Sequence, residues 1–374
     1  MTVTSAPSAV AMEAFARAQV RPHFDRAGST AFPLDLWRQM GAAGLLGIGI
    51  AASHGGSGQS YPEIGQIGRT LVSAGGSLGL GMSWMLHNLV AHFLLQGFGS
   101  ERQKQAYLPA MAVGRLTAAV AISEPGAGAH PKYLKTAAQA VGDRYRIDGE
   151  KAYITNGPIA DLFIVLAITG REAERNRFSA FLVPKMTPGL ATVQTPPYDF
   201  LRPSPHCGLK LENCLVPASA MLGEEGAAFA AFAGPFRDVE DAAGTALLAG
   251  AAAHLLELLV TLSRHRDATA NDEMAERLGT LAALVELLST IATAALERLE
   301  DGGRGSDLAP LLVGFRQLLR HFLTLADDYR SRFAVPADPA LATVTRDLAK
   351  SMDIAKLPRL MKQRALGMTV WNRS

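Results

Sequence analysis

The stretch 121–130, AISEPGAGAH, combines residue types that let a backbone loop approach a ligand closely. Glu124-Pro125 favours an extended turn after a predicted strand, because the residue before a proline is driven away from helical geometry. Gly126 and Gly128 then allow the backbone to come near a neighbouring group. This stretch fits a ligand-binding loop, and it equally fits a tight link between two domains.

A second stretch, 151–157, KAYITNG, follows at a short distance along the chain. It reads as a strand over Lys151–Ile154 that ends at the turn-forming pair Asn156-Gly157. Tyr153 and Thr155 are the two residues on it that could contact a ligand. Both are also ordinary strand residues, so this stretch alone does not separate binding from structure.

The predicted secondary structure around these stretches changes twice along the chain, from helices to strands and back to helices. Apolar residues at helical spacing predict helices over 9–26, 33–45, 61–73, 78–98 and 101–113, with a glycine-rich loop over Gly44–Gly58. Short apolar runs between turn residues then predict strands at Thr117–Ile122, Tyr145–Asp148, Leu162–Ile168, Ser179–Val183 and Gly208–Leu211. Helices return over about 227–266, 272–301, 307–332 and 339–366.

This order predicts an α+β chain of three parts. They are an N-terminal helical domain over 1–115, a middle antiparallel β domain over 116–223 and a C-terminal helical bundle over 224–374. The alanine-rich face of 242–253 suits close helix packing within such a bundle.

Bulk composition excludes several other classes. A net charge of +2 without a long basic run predicts no nucleic-acid partner. Cys207 and Cys214 lack metal-ligand spacing, so neither a metal site nor a disulfide framework is expected. The apolar stretch 242–260 contains His254 and Glu257, so it is interpreted as a bundle helix and not as a membrane span. A cytoplasmic protein without a membrane partner is the expectation.

Taken in order and spacing, the two stretches resemble the flavin-contacting segments of the acyl-CoA dehydrogenase family. Further runs resemble that family where they are expected, over 35–265 in all, and the resemblance weakens after residue 265. The further runs are FGSERQK at 98–104 before Tyr107-Leu108-Pro109, SAFLVPK at 179–185 and LENCLVP at 211–217.

The resemblance implies an acyl-CoA dehydrogenase-like fold, a bound FAD and roles for particular residues. Val120, Ile122 and Ser123 would line the flavin, with the Ser123 hydroxyl on its pyrimidine side. Tyr153 would flank the ring system, and the Thr155 hydroxyl would meet its N5 edge, where hydride arrives.

The resemblance also implies substrate contacts. The acyl thioester would lie against Gly128, Ala129 and His130, where the family usually has Gly-Ser-Asp, so one substrate-facing hydroxyl is absent. His130 could bring an imidazole to this rim or could be a surface histidine. Arg202 and Ser204 would border the opening for an acyl-CoA or acyl-carrier-protein substrate, unless their loop is a plain hairpin linker.

Members of the family remove the α-proton of an acyl thioester with a carboxylate, while the β-hydride goes to the flavin. Because this proton is weakly acidic, the carboxylate that acts as base must be desolvated and well placed. Many members carry this base in a Glu-Gly-Thr run after an Arg-Asp pair. Arg346-Asp347 is present here, but 348–353 holds no glutamate. A minority carry it on the first long helix of the bundle, and an ungapped match to that helix selects Glu240. Asp353 is a second candidate.

Glu240 has an alternative interpretation. Together with Asp238 and Asp241 it could form a solvated acidic start of a helix, which the positive end of the helix dipole would favour.

The C-terminal third departs from the family. Residues 267–272 replace a loop that usually reaches the flavin diphosphate of a neighbouring subunit, and the arginines of 329–333 could hold phosphates instead. Three hypotheses follow: a flavin-dependent acyl-thioester dehydrogenase with a displaced base, a flavin monooxygenase on the same fold, or a redox-silent or partner-dependent homologue. A homodimer or homotetramer is expected, with a hetero-oligomer as the alternative. The acyl group is not determined by the sequence.

Overall fold

The first domain is a helical layer in which every predicted helix is present. The computed structural model describes residues 8–27, 31–195, 199–266 and 269–372. Its first helices are α1 (Ala9–Phe15), α2 (Arg21–Ala27), α3 (Leu34–Ala42), α4 (Tyr61–Gly75), α5 (Leu78–Leu89), α6 (Gln96–Phe98) and α7 (Glu101–Ala112). Wider π turns at Ala16–Val20 and Val90–Leu95 join α1 to α2 and α5 to α6, so the predicted helix over 78–98 is one continuous rod.

Local sequence explains where these helices begin. Ser60 and Ser100 each form a capping box with the residue three positions later, Glu63 and Gln103. Each serine and its partner satisfy two backbone N–H groups that the first helical turn leaves unpaired.

The middle domain is an eight-stranded sheet. Its strands are β1 (Ala118–Ala121), β2 (Ala137–Val141), β3 (Arg144–Thr155), β4 (Leu162–Glu172), β5 (Arg175–Pro184), β6 (Leu190–Gln194), β7 (His206–Pro217) and β8 (Met221–Leu222). The order is β6-β7-β3-β2-β4-β5-β8, with β1 also paired to β4. Most pairs are antiparallel, as predicted, but β1 and β2 both run parallel to β4, so the sheet is mixed.

Three strands were not predicted. β2, β6 and β8 are short and, apart from Ala138 and Leu222, largely exposed or half-buried, so they carry little of the alternating apolar signal that marks a strand. The two predicted pieces Tyr145–Asp148 and Lys151–Ile154 are halves of the single strand β3.

The C-terminal domain is a helical bundle. A π turn at Phe229–Ala233 leads into α8 (Gly234–Arg266), followed by α9 (Asp272–Glu300), α10 (Ala309–Arg332), α11 (Pro339–Ser351) and α12 (Lys356–Trp371). The single helix predicted over 339–366 is wrong, because the chain turns between α11 and α12, where Ala355 has a left-handed φ of 52°.

Small residues let α8 lie close to helices of the first domain, whereas the alanine-rich sequence predicts close packing within the bundle. A Cβ at Gly250 would stand 2.4 Å from the carbonyl oxygen of Arg69 on α4, and a Cβ at Gly81 on α5 would stand 3.6 Å from a methyl of Leu247. By length and composition, Leu78–Phe98, Phe229–His265 and Asp272–Glu300 could each cross a membrane; 78%, 56% and 33% of their apolar windows are buried inside this fold.

Candidate functional site

The two stretches singled out in the sequence are joined directly in the structure. The backbone N–H of Ala152 donates a hydrogen bond to the Ser123 carbonyl over 2.9 Å. The Lys151 ammonium donates to the Ile122 carbonyl over 3.0 Å. The end of β1 and the second half of β3 therefore form one unit, although 27 residues separate Lys151 from Glu124 in the sequence.

A buried ion pair lies beneath this unit. Lys151 Nζ contacts Glu124 Oε1 at 2.9 Å, and the two side chains are 0% and 6% exposed. Glu124 also accepts hydrogen bonds from the backbone N–H groups of Lys135 and Thr136, at 2.7 and 2.9 Å. Burial lowers the pKa of Lys151 to about 8 in spite of the glutamate beside it. Burial also raises the pKa of Glu124, but the charge of Lys151 and the hydrogen bonds outweigh it, and that pKa is lowered.

A bulge after Lys151 turns Tyr153 outward. The register of β3 against β7 shifts between Lys151 and Ile154, and Tyr153 takes a left-handed φ of 59°. Its side chain is 57% exposed. The bulge thus places an aromatic ring on the surface of the sheet instead of in the core.

Four further residues predicted to line the flavin are half-buried: Val120, Ile122, Ser123 and Thr155. Within the residues that the structure describes, neither the Ser123 hydroxyl nor the Thr155 hydroxyl has a hydrogen-bond partner. Two free hydroxyls and a half-exposed apolar edge fit the edge of a flavin, which needs donors at its heteroatoms.

The glycine loop is closed on itself. Glu124 and Gly128 exchange both backbone hydrogen bonds, at 2.9 and 3.1 Å, and Gly126 and Gly128 have φ values of 72° and 56°. Ala129 and His130 are exposed, and the His130 ring packs against Tyr133 at 4.8 Å. Beside the loop lies an open cleft lined by 124–127, 132–135, Gly149 and Glu150. The loop offers open backbone, while His130 lies on the surface.

The loop that carries Arg202 and Ser204 is attached to the second stretch. Asn156 donates its backbone N–H to the Pro205 carbonyl at 2.8 Å and its side-chain amide to the Ser83 carbonyl at 2.9 Å. The Ser83 hydroxyl in turn donates to the Ser204 hydroxyl at 3.1 Å. Arg202 is half-buried. The predicted substrate contact Ser204 is therefore also a structural link.

Asp347 anchors the same loop, a role that the sequence did not indicate. Its buried carboxylate accepts a hydrogen bond from the Leu201 backbone N–H at 3.1 Å and lies 3.7 Å from Arg346 Nε. Burial raises the pKa of Asp347 to about 6, although the Leu201 hydrogen bond and Arg346 act against this. The sequence shows Arg346-Asp347 only as the pair after which many family members carry their base. The hydrogen bond between Leu201 and Asp347 is not visible in the sequence, because it joins residues 146 positions apart.

The acidic residues of α8 do not share one environment. Asp238 accepts hydrogen bonds from the Gly305 N–H at 2.9 Å and from Lys362 at 2.7 Å. Asp241 is approached by four cations, at 3.0 to 3.7 Å: Arg237, Arg316, Arg359 and Lys362. Burial raises the pKa of Asp241, but these cations outweigh it and the pKa is lowered.

Glu240 lies on another side of the helix. It falls on the row of residues that also contains Phe236 and Leu247, four and seven positions away. Phe236 stacks on Phe93 with 5.8 Å between ring centroids, and Leu247 lies against α5. In the described part of the chain no side chain pairs with the Glu240 carboxylate.

Glu240 is half-buried, and desolvation by the surrounding apolar side chains raises its pKa to about 7. Arg237 opposes the shift and Asp241 adds to it. The solvated acidic helix start is therefore wrong as an account of these residues. The helical chain begins at Phe229, and Asp238 and Asp241 are only 9% and 6% exposed.

Other candidates from the C-terminal third are less well placed. Asp353 has a side chain that is 76% exposed and lies 4.0 Å from Lys356, so it lacks the desolvation that a base requires. Arg330 is paired with Asp327 at 2.7 Å and Arg332 with Glu273, and both guanidinium side chains are 52% exposed. Of the replaced loop, Asp267 and Ala268 lie outside the described residues.

Comparison with known proteins matches this arrangement. Models of the acyl-CoA dehydrogenase N-terminal domain and the acyl-CoA dehydrogenase middle domain match residues 9–115 and 119–214, more than half of the chain. Mitochondrial isovaleryl-CoA dehydrogenase of Pongo abelii is 38% identical over 194 residues, which are 51% of this chain and 45% of that protein. The aligned region spans about half the length of the curated relatives that the chain matches.

Two solved structures extend the likeness to the whole chain. The prolyl acyl carrier protein oxidase AnaB superimposes with a TM-score of 0.84 at 24% identity, covering 97% of each chain. The FAD complex of PigA superimposes with a TM-score of 0.83 at 23% identity, covering 98% of this chain and 97% of that one. At these identities the likeness shows the fold. The matched models include both stretches that form the candidate site, and the chain belongs to the acyl-CoA dehydrogenase family.

Proposed function

We propose that this protein is an FAD-dependent dehydrogenase of acyl thioesters in which Glu240 removes the α-proton. The observation that carries the proposal is the environment of Glu240. It is the acidic residue of the 238–241 group that no cation pairs in the described chain, and desolvation brings its pKa to about 7. A carboxylate with a pKa near the working pH is ionised often enough to act and basic enough to accept a proton from carbon.

The FAD would be held by the unit that joins the two stretches. Val120, Ile122, Ser123, Tyr153 and Thr155 would contact the flavin, and the free hydroxyls of Ser123 and Thr155 supply donors or acceptors at its edge. The flavin supplies the hydride acceptor of the reaction. The protein supplies the orientation of the substrate, the base and the exclusion of water.

An apolar surface next to Glu240 suits an acyl chain. On the rod that contains α5, Met82, Leu86 and Phe93 are only half-buried although they pack against the main core. Phe93 touches Phe236, which lies one helical turn from Glu240. An acyl chain on this surface would lie close to the carboxylate, while its thioester faced Gly128, Ala129 and His130.

The test uses the FAD-loaded protein and its Glu240→Gln variant under anaerobic conditions. Isovaleryl-CoA, butyryl-CoA and a prolyl-loaded carrier protein are mixed with each, and reduction of the flavin is followed by its visible absorbance. We expect at least one of these thioesters to bleach the wild-type flavin, and the variant to keep its flavin band without being bleached. Bleaching of the variant at the wild-type rate would contradict the assignment of the base.

Comparing CoA thioesters with the carrier-bound substrate also identifies the substrate class. The family relatives include an isovaleryl-CoA dehydrogenase and a prolyl acyl carrier protein oxidase, so both forms of thioester are reasonable substrates here. A homodimer or homotetramer is proposed as the assembly and can be measured by light scattering.

A redox-silent or partner-dependent homologue is the second candidate. The observation that favours it is that Arg330 and Arg332, the possible phosphate ligands in the region that departs from the family, are each paired with a carboxylate of this chain. Retention of about one equivalent of FAD after desalting would contradict this candidate. A colourless protein that takes up no FAD would support it.

A further inference from the structure

We propose that Lys151 is a positioning residue: together with Glu124 it holds the Ile122–Ser123 segment in the orientation that meets the cofactor. This inference rests on the proposed function for its purpose, but the geometry that carries it involves only the protein. Among the described residues Lys151 is the one buried lysine, and its side chain is 0% exposed.

The geometry is a double clamp. On one side of the junction the Lys151 ammonium binds the Ile122 carbonyl at 3.0 Å, and one residue further the Ala152 N–H binds the Ser123 carbonyl at 2.9 Å. Two consecutive carbonyls of the first stretch are thus fixed by two consecutive residues of the second. The peptide group between Ile122 and Ser123 cannot rotate without breaking one of these hydrogen bonds.

Glu124 holds the lysine in place. Its carboxylate accepts three hydrogen bonds, from Lys151 and from the backbone N–H groups of Lys135 and Thr136. A carboxylate bound in this way is itself rigid, so the ammonium has one position from which it reaches both partners. Lysine suits this task because its ammonium is a compact group with three donors.

Stability alone does not explain a charged pair here. Replacement of a buried ion pair by neutral side chains of similar size is often neutral or stabilising, because each ion is costly to desolvate. The clamp also lies directly before the bulge that exposes Tyr153, where the regular pairing of β3 with β7 is interrupted. The pair therefore sits where backbone orientation matters for two of the residues proposed to contact the cofactor.

The experiment compares Lys151→Met, Glu124→Gln and the double variant. Each single change leaves one buried charge without its partner, so both single variants are expected to be less stable towards urea. The double variant removes both charges and should recover part of that stability. Recovery is incomplete because a glutamine amide has one acceptor oxygen, so the N–H of Lys135 or Thr136 loses its partner. If Lys151 positions the Ser123 segment, the double variant still lacks the bond to the Ile122 carbonyl, and two local properties should stay changed.

The first property is hydrogen exchange at the Ala152 amide in the flavin-free protein. We expect exchange at least about tenfold faster in the stable double variant than in wild type, as loss of about 1.4 kcal/mol of local protection would give. The second is the dissociation constant for FAD, expected to be at least about tenfold higher, with a changed visible spectrum of the bound flavin. Wild-type values for both in the double variant would overturn the proposal.

A matched control is available on the neighbouring strand. Lys210 and Glu212 form an ion pair at 2.7 Å on β7, but their side chains are 49% and 64% exposed. Lys210→Met should change neither the Ala152 exchange rate nor FAD binding. If wild type binds no FAD, the proposed function fails, whereas the exchange rate at Ala152 still decides whether Lys151 holds the segment.

Discussion

Asp241 and Glu240 are neighbours on α8 and have opposite surroundings. Asp241 is approached by Arg316 from α10 and by Arg359 and Lys362 from α12, as well as by Arg237 of its own helix, and its pKa is lowered. Glu240 lies about 100° away around the helix, on the row of Phe236 and Leu247, and desolvation raises its pKa to about 7. The difference shows that adjacent acids on one helix can have pKa values shifted in opposite directions, because each has different surroundings.

Substitutions of Glu240 and Asp241 should differ most in their effect on turnover. We expect Glu240→Gln to lower turnover by about 10²- to 10⁴-fold, the usual contribution of general acid–base catalysis, and Asp241→Asn to lower it by less than about tenfold where that variant is folded. Steady-state rates with the thioester that reduces the wild-type flavin are the measurement. Equal losses of turnover in the two variants would contradict the assignment of Glu240, rather than Asp241, to catalysis.

The effects on stability should be the reverse, with a larger loss for Asp241→Asn than for Glu240→Gln. Asp241→Asn leaves four cations without their shared carboxylate, so we expect the free energy of unfolding to fall by about 2–4 kcal/mol. Glu240→Gln removes a desolvated carboxylate that has no partner in the described chain, so no loss is expected at pH 7. Urea denaturation of both variants checks this, and a large loss for Glu240→Gln would show that its carboxylate is structural.

The pH profile sharpens the assignment. Since the base must be ionised, kcat/KM should rise by about tenfold per pH unit below about 7 and level off above that value. Asp241 has a lowered pKa and stays ionised throughout this range. Asp241→Asn removes a negative charge that helps to raise the pKa of Glu240, so its midpoint should move to lower pH, though less far than full solvation of Glu240 would move it. A midpoint near 4.5 in wild type would mean that Glu240 is solvated during the reaction.

A smaller effect is expected in the pH dependence of stability. The pKa of Glu240 is higher in the folded protein than its ordinary 4.5, so folding binds a proton in this window and the free energy of unfolding declines as pH rises from 4.5 to about 7. The stability of Glu240→Gln relative to wild type should increase over the same window. Asp241 contributes the reverse sign, since its stabilisation is present above its ordinary 3.8 and is lost only as the pH falls below that value. A flat difference between Glu240→Gln and wild type would contradict the raised pKa.

The smallest effect should come from the exposed acid. Asp353→Asn changes a side chain that is 76% exposed and weakly paired. We expect turnover within about twofold of wild type and a stability change below about 0.5 kcal/mol. A loss comparable with that of Glu240→Gln would transfer the role of base to Asp353.

Long periodic helices and the two motif stretches were predictable because their signals are local. Helices such as α4 and α9 follow from apolar spacing and caps, which a short window of residues contains. The strands β2 and β6 lack such a window. The break between α11 and α12 was missed for a related reason: Ala355 adopts its left-handed backbone without the glycine or asparagine that would announce it.

The candidate site was only partly predictable. Ser123, Tyr153 and Thr155 were selected by resemblance, and the structure brings their two segments together through Lys151 and Ala152. The ion pair of Lys151 with Glu124 was not foreseen as a clamp, because nothing near either residue shows that the other lies within 3 Å.

The sequence by itself determined the order of the domains, the family and the identity of the residues that could do chemistry. Those properties depend on periodicity and on motifs, which are read along the chain. Only the tertiary structure decided which carboxylate of α8 is neutralised and which is desolvated, and that Asp347 and Ser204 are structural links. The physical reason is that a pKa and a hydrogen bond depend on what other elements bring within a few ångströms.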